Sequence, residues 1–283
     1  MVRQTSAGGI VGALLLLLAA TPAQAIIMRH DVEEAQYRNL GERHRGVLVQ
    51  LGLPARDDGG PMLYNGMGTL IAPDWVLTAA HAAEFLQQNP PPSGTHRYVF
   101  LKGRGYAIAE VILHPEYDSA TAANDIALIR LARPVRDPAP ACLYERSDEV
   151  GQIVEMAGSG LAGTGVTGPL ETPDGALRGA TVRVRGEEGS VIVWRFNAPG
   201  DPGVTPLEGI SGPGDSGGPA LIETAAGYCV AGVSSSQRIE VAVGAPGDGS
   251  DQPSGEGRYG VVEVYARVSH FLPWIRAVMA AGG

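Results

Sequence analysis

Gly209-Ile-Ser-Gly-Pro-Gly-Asp-Ser-Gly-Gly-Pro-Ala-Leu221 sets five glycines and two prolines around one Asp215-Ser216 pair. A loop that needs only mobility could use as many glycines. A site that must hold one hydroxyl in the open uses them differently. They let the chain turn tightly, and backbone N–H groups can then converge on a nearby point. A serine hydroxyl is a poor nucleophile near neutral pH. It needs a base to take its proton, and the base needs an acid to fix its tautomer. The stretch therefore asks for a histidine and a carboxylate elsewhere in the chain.

Two segments answer. Trp75-Val-Leu-Thr-Ala-Ala-His81 ends a β-type run on a histidine among small residues, and Asn124-Asp125-Ile-Ala-Leu-Ile-Arg-Leu131 puts an acid at the mouth of another. His81 can serve as base, Asp125 as its orienter and Ser216 as nucleophile. The N–H groups of Gly214 and Ser216 can point at a developing oxyanion. The other histidines, His30, His44, His96, His114 and His270, lack such a frame and read as surface or packing residues. Gly158-Ser-Gly-Leu-Ala-Gly163 fits a dinucleotide glycine pattern, but no helix is expected after it, so nucleotide binding is set aside.

Working outward, short β-type runs recur between Gly, Pro, Asp and Asn clusters. They begin at Gly46, Gly68, Trp75, Tyr98, Ile126, Ile153, Ala180, Val191, Tyr228 and Val261. Helical spacing is convincing mainly over residues 269–280, where Phe271, Leu272, Ile275, Val278 and Met279 recur at three and four. The pattern predicts an all-β sandwich or barrel pair with a terminal helix. Arg133-Pro-Val-Arg-Asp-Pro-Ala-Pro140 reads as an extended linker between two sets of strands, and residues 236–260 as a long surface loop. Asp248, Asp251 and Glu256 in that loop do not match a calcium-binding EF-hand spacing, and no metal is expected.

Arg3, an apolar run from Ile10 to Ala20 and the small-residue Ala23-Gln-Ala25 read as a secretory signal peptide over residues 1–25. The run is too short to span a bilayer, which takes about 20 residues. The expected location is secreted or periplasmic, with no stable membrane insertion. Of the residues, 44% are hydrophobic and 18% charged, enough for a buried core. A net charge of −9 without basic runs argues against nucleic acid as partner. Cys142 and Cys229 cannot build a structural zinc site alone, and export favours oxidation. One long-range disulfide is the simplest reading and two free buried thiols the other.

Together, Thr78-Ala-Ala-His81, Asn124-Asp-Ile-Ala-Leu128 and Gly214-Asp-Ser-Gly-Gly-Pro219 resemble the three signatures of the trypsin/chymotrypsin-like serine endopeptidases, in that family's chain order. Val264-Tyr-Ala-Arg-Val268 and Phe271-Leu-Pro-Trp-Ile275 extend the resemblance to most of residues 46–279. The resemblance implies an all-β fold of two packed antiparallel six-stranded β-barrels with a C-terminal α-helix and an active site between them. The first barrel would fall in residues 26–138, with His81 and Asp125, and the second in residues 139–283, with Ser216. It implies peptide-bond hydrolysis through an acyl-enzyme, on polypeptide substrates, by a monomer with no cofactor. The alternative is a catalytically silent, protease-like binding protein.

The chain departs from the family at several points. Ala82 and Gly212 stand where common animal members have cysteines, so two disulfides are missing. Cys142 matches a family cysteine on the linker, and its pairing with Cys229 would tie that linker to the second barrel. The substrate strand, usually Ser-Trp-Gly, is read here as Ser234-Ser235-Ser236, with a side chain at Ser236 narrowing the pocket mouth. The pocket floor six residues before the serine is Ile210, and a wall position that is usually glycine is Glu263. A carboxylate in an apolar slot is costly unless paired, so a preference for a basic residue before the cut is expected. Family members often bury a new N-terminal ammonium against the acid before the serine. Here that acid is Asp215, and leader removal would expose Ile26, though the usual glycines after it are absent.

Overall fold

The computed structural model describes residues 26–53, 63–89, 96–171, 175–239 and 256–282. The leader read at 1–25, and Asp248 and Asp251 of the acidic loop, lie outside the described residues. The first elements are β1 (Ile27–Met28), α1 (Glu34–His44), β2 (Leu48–Leu53), β3 (Leu63–Ala72), β4 (Trp75–Thr78), α2 (Ala80–Gln88), β5 (Tyr98–Leu101), β6 (Arg104–Leu113) and β7 (Ala127–Leu131). They are followed by β8 (Cys142–Leu143), β9 (Ile153–Gly158), β10 (Gly163–Thr164), β11 (Gly168–Pro169), β12 (Arg178–Arg183) and β13 (Gly186–Glu188). The chain ends with β14 (Val191–Arg195), β15 (Gly209–Ile210), β16 (Pro219–Thr224), β17 (Gly227–Ile239), β18 (Val261–Arg267) and α3 (Val268–Ala281).

The first half closes as a six-stranded antiparallel barrel in the order β2-β3-β4-β7-β6-β5. β4, flanked by β3 and β7, is buried along its whole length, which is why Trp75-Val-Leu-Thr78 reads as an unbroken apolar run ending on one small polar residue.

The second half does not form a closed six-stranded ladder among the described residues. It is an eight-stranded sheet, β12-β9-β16-β17-β18-β14-β13, with β8 beside β17. The two ends of that path are successive pieces of one bent chain. Between β12 and β13, Val184 N–H donates to Gln152 O on one side, and Arg185 N–H to Val193 O on the other. The sheet thus curls back on itself through a bend rather than a ladder. A small sheet, β11-β10-β1-β15, threads the start of the chain into this half.

Each half has its own core. Leu51, Leu70, Val76, Leu77, Leu128 and Ile129 lie in the first, and Val154, Val182, Ile192, Trp194, Phe196 and Val261 in the second. α3 follows β18 of the second half, yet its buried Phe271, Leu272 and Ile275 join the first cluster. At roughly 1.5–3 kcal/mol per buried apolar side chain, this face binds the halves together. α1 does the reverse. It precedes the barrel but sets Leu40 against Gly179 and Gly41 against the Arg178 backbone, both on β12.

Cys142 and Cys229 are bonded, with Cα atoms 4.3 Å apart, because β8 runs parallel to β17 with these two residues in register. His44 is buried, its Nε2 2.6 Å from Glu155 Oε2. Among the described residues no helix is long and apolar enough to cross a membrane.

Candidate active site

His81 is the second residue of α2, directly after β4 has crossed the barrel. Its backbone N–H donates to Asp125 Oδ1 at 2.9 Å, and its Nδ1 lies 2.7 Å from Asp125 Oδ2. Asp125 stands two residues before β7, the strand paired with β4, so the barrel ladder brings the two together. The carboxylate is 1% exposed while the imidazole is 36% exposed. An ionised carboxylate only accepts hydrogen bonds. It therefore holds the proton on Nδ1 and leaves Nε2 as the accepting nitrogen.

Ser216 sits on the turn before β16 and is partly exposed. Its position beside the His81 segment is fixed by close backbone approach. A Cβ on Gly217, at φ +82°, would lie 2.2 Å from Thr78 Oγ1 and 2.3 Å from Met67 O. A Cβ on Gly66 would lie 2.9 Å from Ser216 O and 3.0 Å from Ala82 Cβ. Only glycine fits at either point. Met67 N–H donates to Ser216 O at 2.7 Å, and Gly217 N–H to Ser234 O at 2.8 Å. Among the described residues, the N–H groups of Gly214 and Ser216 have no hydrogen-bond partner, whereas Asp215 N–H is held by Gly212 O and Gly218 N–H by Asp215 O.

Asp215 points away from this turn into the second core. Its Oδ2 accepts from Ile26 N and Gly212 N, each at 2.9 Å, and its Oδ1 from Gly160 N at 2.6 Å. Burial pushes its carboxyl above the usual range, and these N–H donors pull the other way. Ile26 is 1% exposed and has φ +56°, an uncommon conformation for a β-branched residue. β1 lies between β10 and β15, and this pairing is what carries Ile26 to Asp215.

The residues expected to line the pocket lie on β15, β17 and β18. Ile210, on β15, is fully buried and faces Ile27 in register. Glu263, on β18, is also fully buried. Its Oε2 accepts from Ser211 N at 2.8 Å and its Oε1 from Ser211 Oγ. Burial pushes its carboxyl up to about 8, and the nearby Asp215 adds to the rise while Ser211 and Gln237 oppose it.

The substrate strand differs from the sequence reading by one position. β17 and β18 pair Ser234 with Tyr265 and Ser236 with Val264, leaving Ser235 as the extra residue of a bulge. A bulge re-aims a side chain, and Ser235 Oγ donates to Asp125 Oδ2 at 2.6 Å. Ser234 turns its hydroxyl instead to Ser211 Oγ at 3.3 Å, and Ser236 is exposed rather than narrowing the pocket. Gln237 is the residue whose side chain crosses to the opposite wall. The roles of Ser235 and Gln237 differ from the sequence expectation because they depend on that bulge. The only sequence signal is a run of three serines at the end of an apolar strand. Among the described residues, no group of three His, Cys, Asp or Glu side chains is placed to hold a metal ion.

A closed antiparallel barrel, a histidine–carboxylate pair at its rim and a serine on a glycine-framed turn define a class, and the chain belongs to the trypsin family, whose model matches residues 56–275. Among curated relatives, Serine protease 56 of Mus musculus is 28% identical over 293 residues, covering 92% of this chain and 44% of its own length. This chain therefore spans less than half of that relative. Kallikrein-15 of Homo sapiens is 27% identical over 231 residues, covering 76% of this chain and 82% of its own. Among solved structures, neuropsin, a serine protease expressed in the limbic system of mouse brain, superposes with a TM-score of 0.57 at 20% identity. That match covers 89% of this chain and 98% of neuropsin, a likeness of fold.

Proposed function

We propose that the chain is an exported serine endopeptidase acting through an acyl-enzyme, with Ser216, His81 and Asp125 as its triad. The observation that carries this reading is the His81 Nδ1 to Asp125 Oδ2 contact at 2.7 Å, beside a serine on a turn with two unengaged N–H groups. Ser216 Oγ attacks the scissile carbonyl and its proton passes to His81 Nε2. The carbonyl oxygen gains negative charge and draws on the N–H groups of Gly214 and Ser216. The C–N bond breaks as His81 returns the proton to the leaving amine. Water, deprotonated by His81, then hydrolyses the ester and restores Ser216. Ser235 helps hold the Asp125 carboxylate through its hydroxyl.

The reading includes removal of residues 1–25 on export. A free Ile26 ammonium would replace the amide now beside Asp215, pair with that buried carboxylate and relieve the φ +56° of the uncut chain. Residues 26–138 and 139–283 act as two lobes of one monomer on polypeptide substrates. The residue preferred before the cut is basic, because the buried Glu263 carboxylate is held at Ser211, five residues before the nucleophile. A substrate guanidinium or ammonium would share that carboxylate with Ser211.

The test is labelling of the mature protein by a fluorophosphonate. Labelling that disappears in Ser216→Ala supports the enzyme. No labelling of the wild type, with no cleavage of a peptide library, would leave a silent binding protein. Matched amide substrates ending in Arg, Lys, Phe or Leu test the preference. Glu263→Gln should weaken cleavage after Arg and Lys far more than after Phe, and equal loss for all four would assign specificity to Ile210.

A further inference from the structure

The specificity slot of the proposed peptidase would have two walls. One is the segment from β15 through Ser211 and Gly212 to the Ser216 turn. It is rigidly tied, since Ser211 N–H donates to Glu263 and Gly212 N–H to Asp215. The other is β17 from Ser234 to Gln237. A substrate side chain must pass between them to reach Glu263.

Gln237 spans that gap. It stands opposite Glu263 in the β17–β18 register, so both side chains project from one face of the sheet. Its Nε2 donates to Ser211 O at 2.7 Å, a direct contact with the opposite wall. Its Oε1 accepts from Gly257 N at 3.1 Å, 20 residues later in the chain. The neighbours Ser236 and Arg238 are exposed, whereas Gln237 is half-buried. Both ends of the amide are therefore engaged, and no long side chain can lie between Ser211 and β17 while they stay so.

We infer that Gln237 is a latch across the specificity slot of the proposed peptidase, and that a long substrate side chain enters only by displacing its amide. The inference rests on the proposed reaction and adds to it a step that precedes it. A residue such as alanine needs no space beyond the latch and is indifferent to it. Every long side chain, basic or apolar, bears the same penalty, because a site open only part of the time binds with its affinity reduced by the open fraction. The bonds to Ser211 O and Gly257 N, with a further hydrogen bond to the Glu263 carboxylate, hold the latch, which corresponds to a reduction of roughly tenfold or more. Among long side chains, a guanidinium can afterwards take the place of the amide at Ser211 O and reach the Glu263 carboxylate as well, having five donors.

The experiment compares wild type, Gln237→Ala and Gln237→Asn on amide substrates ending in Ala, Arg or Leu, with active protein counted by fluorophosphonate titration. The side chain of asparagine is one carbon too short to span both partners and should behave as alanine does. The latch predicts that kcat/KM for Arg and for Leu rises at least tenfold in both variants, through a lower KM, while that for Ala changes less than threefold. Equal losses on all three substrates would make Gln237 a structural brace and overturn the latch, as would an Arg/Ala or Leu/Ala ratio that stays put. A second arm needs no turnover. Benzamidine should bind Ser216→Ala/Gln237→Ala at least tenfold more tightly than Ser216→Ala, measured by calorimetry. Equal affinity, or no binding to either protein together with unchanged substrate ratios, also overturns it. Failure of the peptidase itself is read separately, as absence of wild-type labelling.

Discussion

Glu263→Gln should make the folded protein more stable at pH 8 than the wild type, while leaving the two nearly equal near pH 4.5. Glu263 is fully buried on β18, and burial lifts its carboxyl from an ordinary 4.5 to about 8. Between those values the folded chain keeps a proton that the unfolded chain has lost. Stability rises with pH only where the unfolded state binds more protons, so here it falls. The contribution is complete below about pH 4.5 and gone once pH has risen through about 8. At 1.36 kcal/mol per pH unit the whole window is worth on the order of 5 kcal/mol. Glutamine keeps the shape. Its oxygen can accept from Ser211 N–H, its amide can donate to Ser211 Oγ, and it does not titrate. Urea unfolding of both proteins, in a Ser216→Ala background to prevent self-digestion, would be followed at intervals from pH 5 to pH 8. The two proteins share every other titrating group, so the difference between the curves reports Glu263 together with its coupling to the nearby Asp215. A difference that widens by more than about 2 kcal/mol in favour of Gln as pH rises supports the argument. Parallel curves would show that Glu263 is ionised throughout and would refute it.

The same proton should appear in turnover. Pairing a cationic substrate side chain with the Glu263 carboxylate expels the proton held below about pH 8, so selectivity for Arg over Leu should climb between pH 6 and 8 in the wild type and stay flat in Glu263→Gln. Asp125→Asn should lower kcat by about four orders of magnitude, because an amide can stabilise the wrong imidazole tautomer, with little change in KM. Steady-state kinetics on one good amide substrate checks this. Replacing Cys142 and Cys229 by serine removes a cross-link between residues 87 apart, worth up to about 4–5 kcal/mol in the chain-entropy view, and should lower the urea midpoint with only a small effect on kcat. Gly217→Ala must push a methyl into Thr78 Oγ1 and Met67 O at positive φ, and should abolish labelling at Ser216 before it unfolds the protein, read by fluorophosphonate and circular dichroism together.

Much of this architecture is written locally in the chain. Trp75-Val-Leu-Thr78 and Ala127-Leu-Ile-Arg-Leu131 are apolar runs that become adjacent strands, and their pairing joins His81 to Asp125. The terminal helix follows its three–four spacing almost to the residue. α1 escaped because its buried face consists of Tyr37, Leu40, Gly41 and His44, at helical spacing but with only one aliphatic member. Its stability comes from partners far away in sequence, such as Glu155 for His44 and Glu208 O for Tyr37. β6 escaped because Gly105, Ala107 and Ala109 interrupt its run. Within the candidate site, the residues that a sequence motif can carry were legible. The bulge at Ser235 was not, because it depends on how β18 pairs with β17, and neither were the bonds of Gln237, which exist only once that register is set.

The crossing of the two ends has a consequence for how the protein is made. Residues 26–44 leave the ribosome well ahead of their partners: β1 needs β10 and β15, and α1 needs β9 and β12, all more than a hundred residues later. The barrel that follows can close early, yet the helix that completes its core lies more than a hundred residues beyond its last strand. The buried seat of Ile26 at Asp215 therefore forms late, after the second half has folded around it. Until that docking, Ser216 stands on a turn whose Asp215 lacks its bond from Ile26. The order of synthesis thus leaves an interval in which the Ser216 turn lacks part of its support.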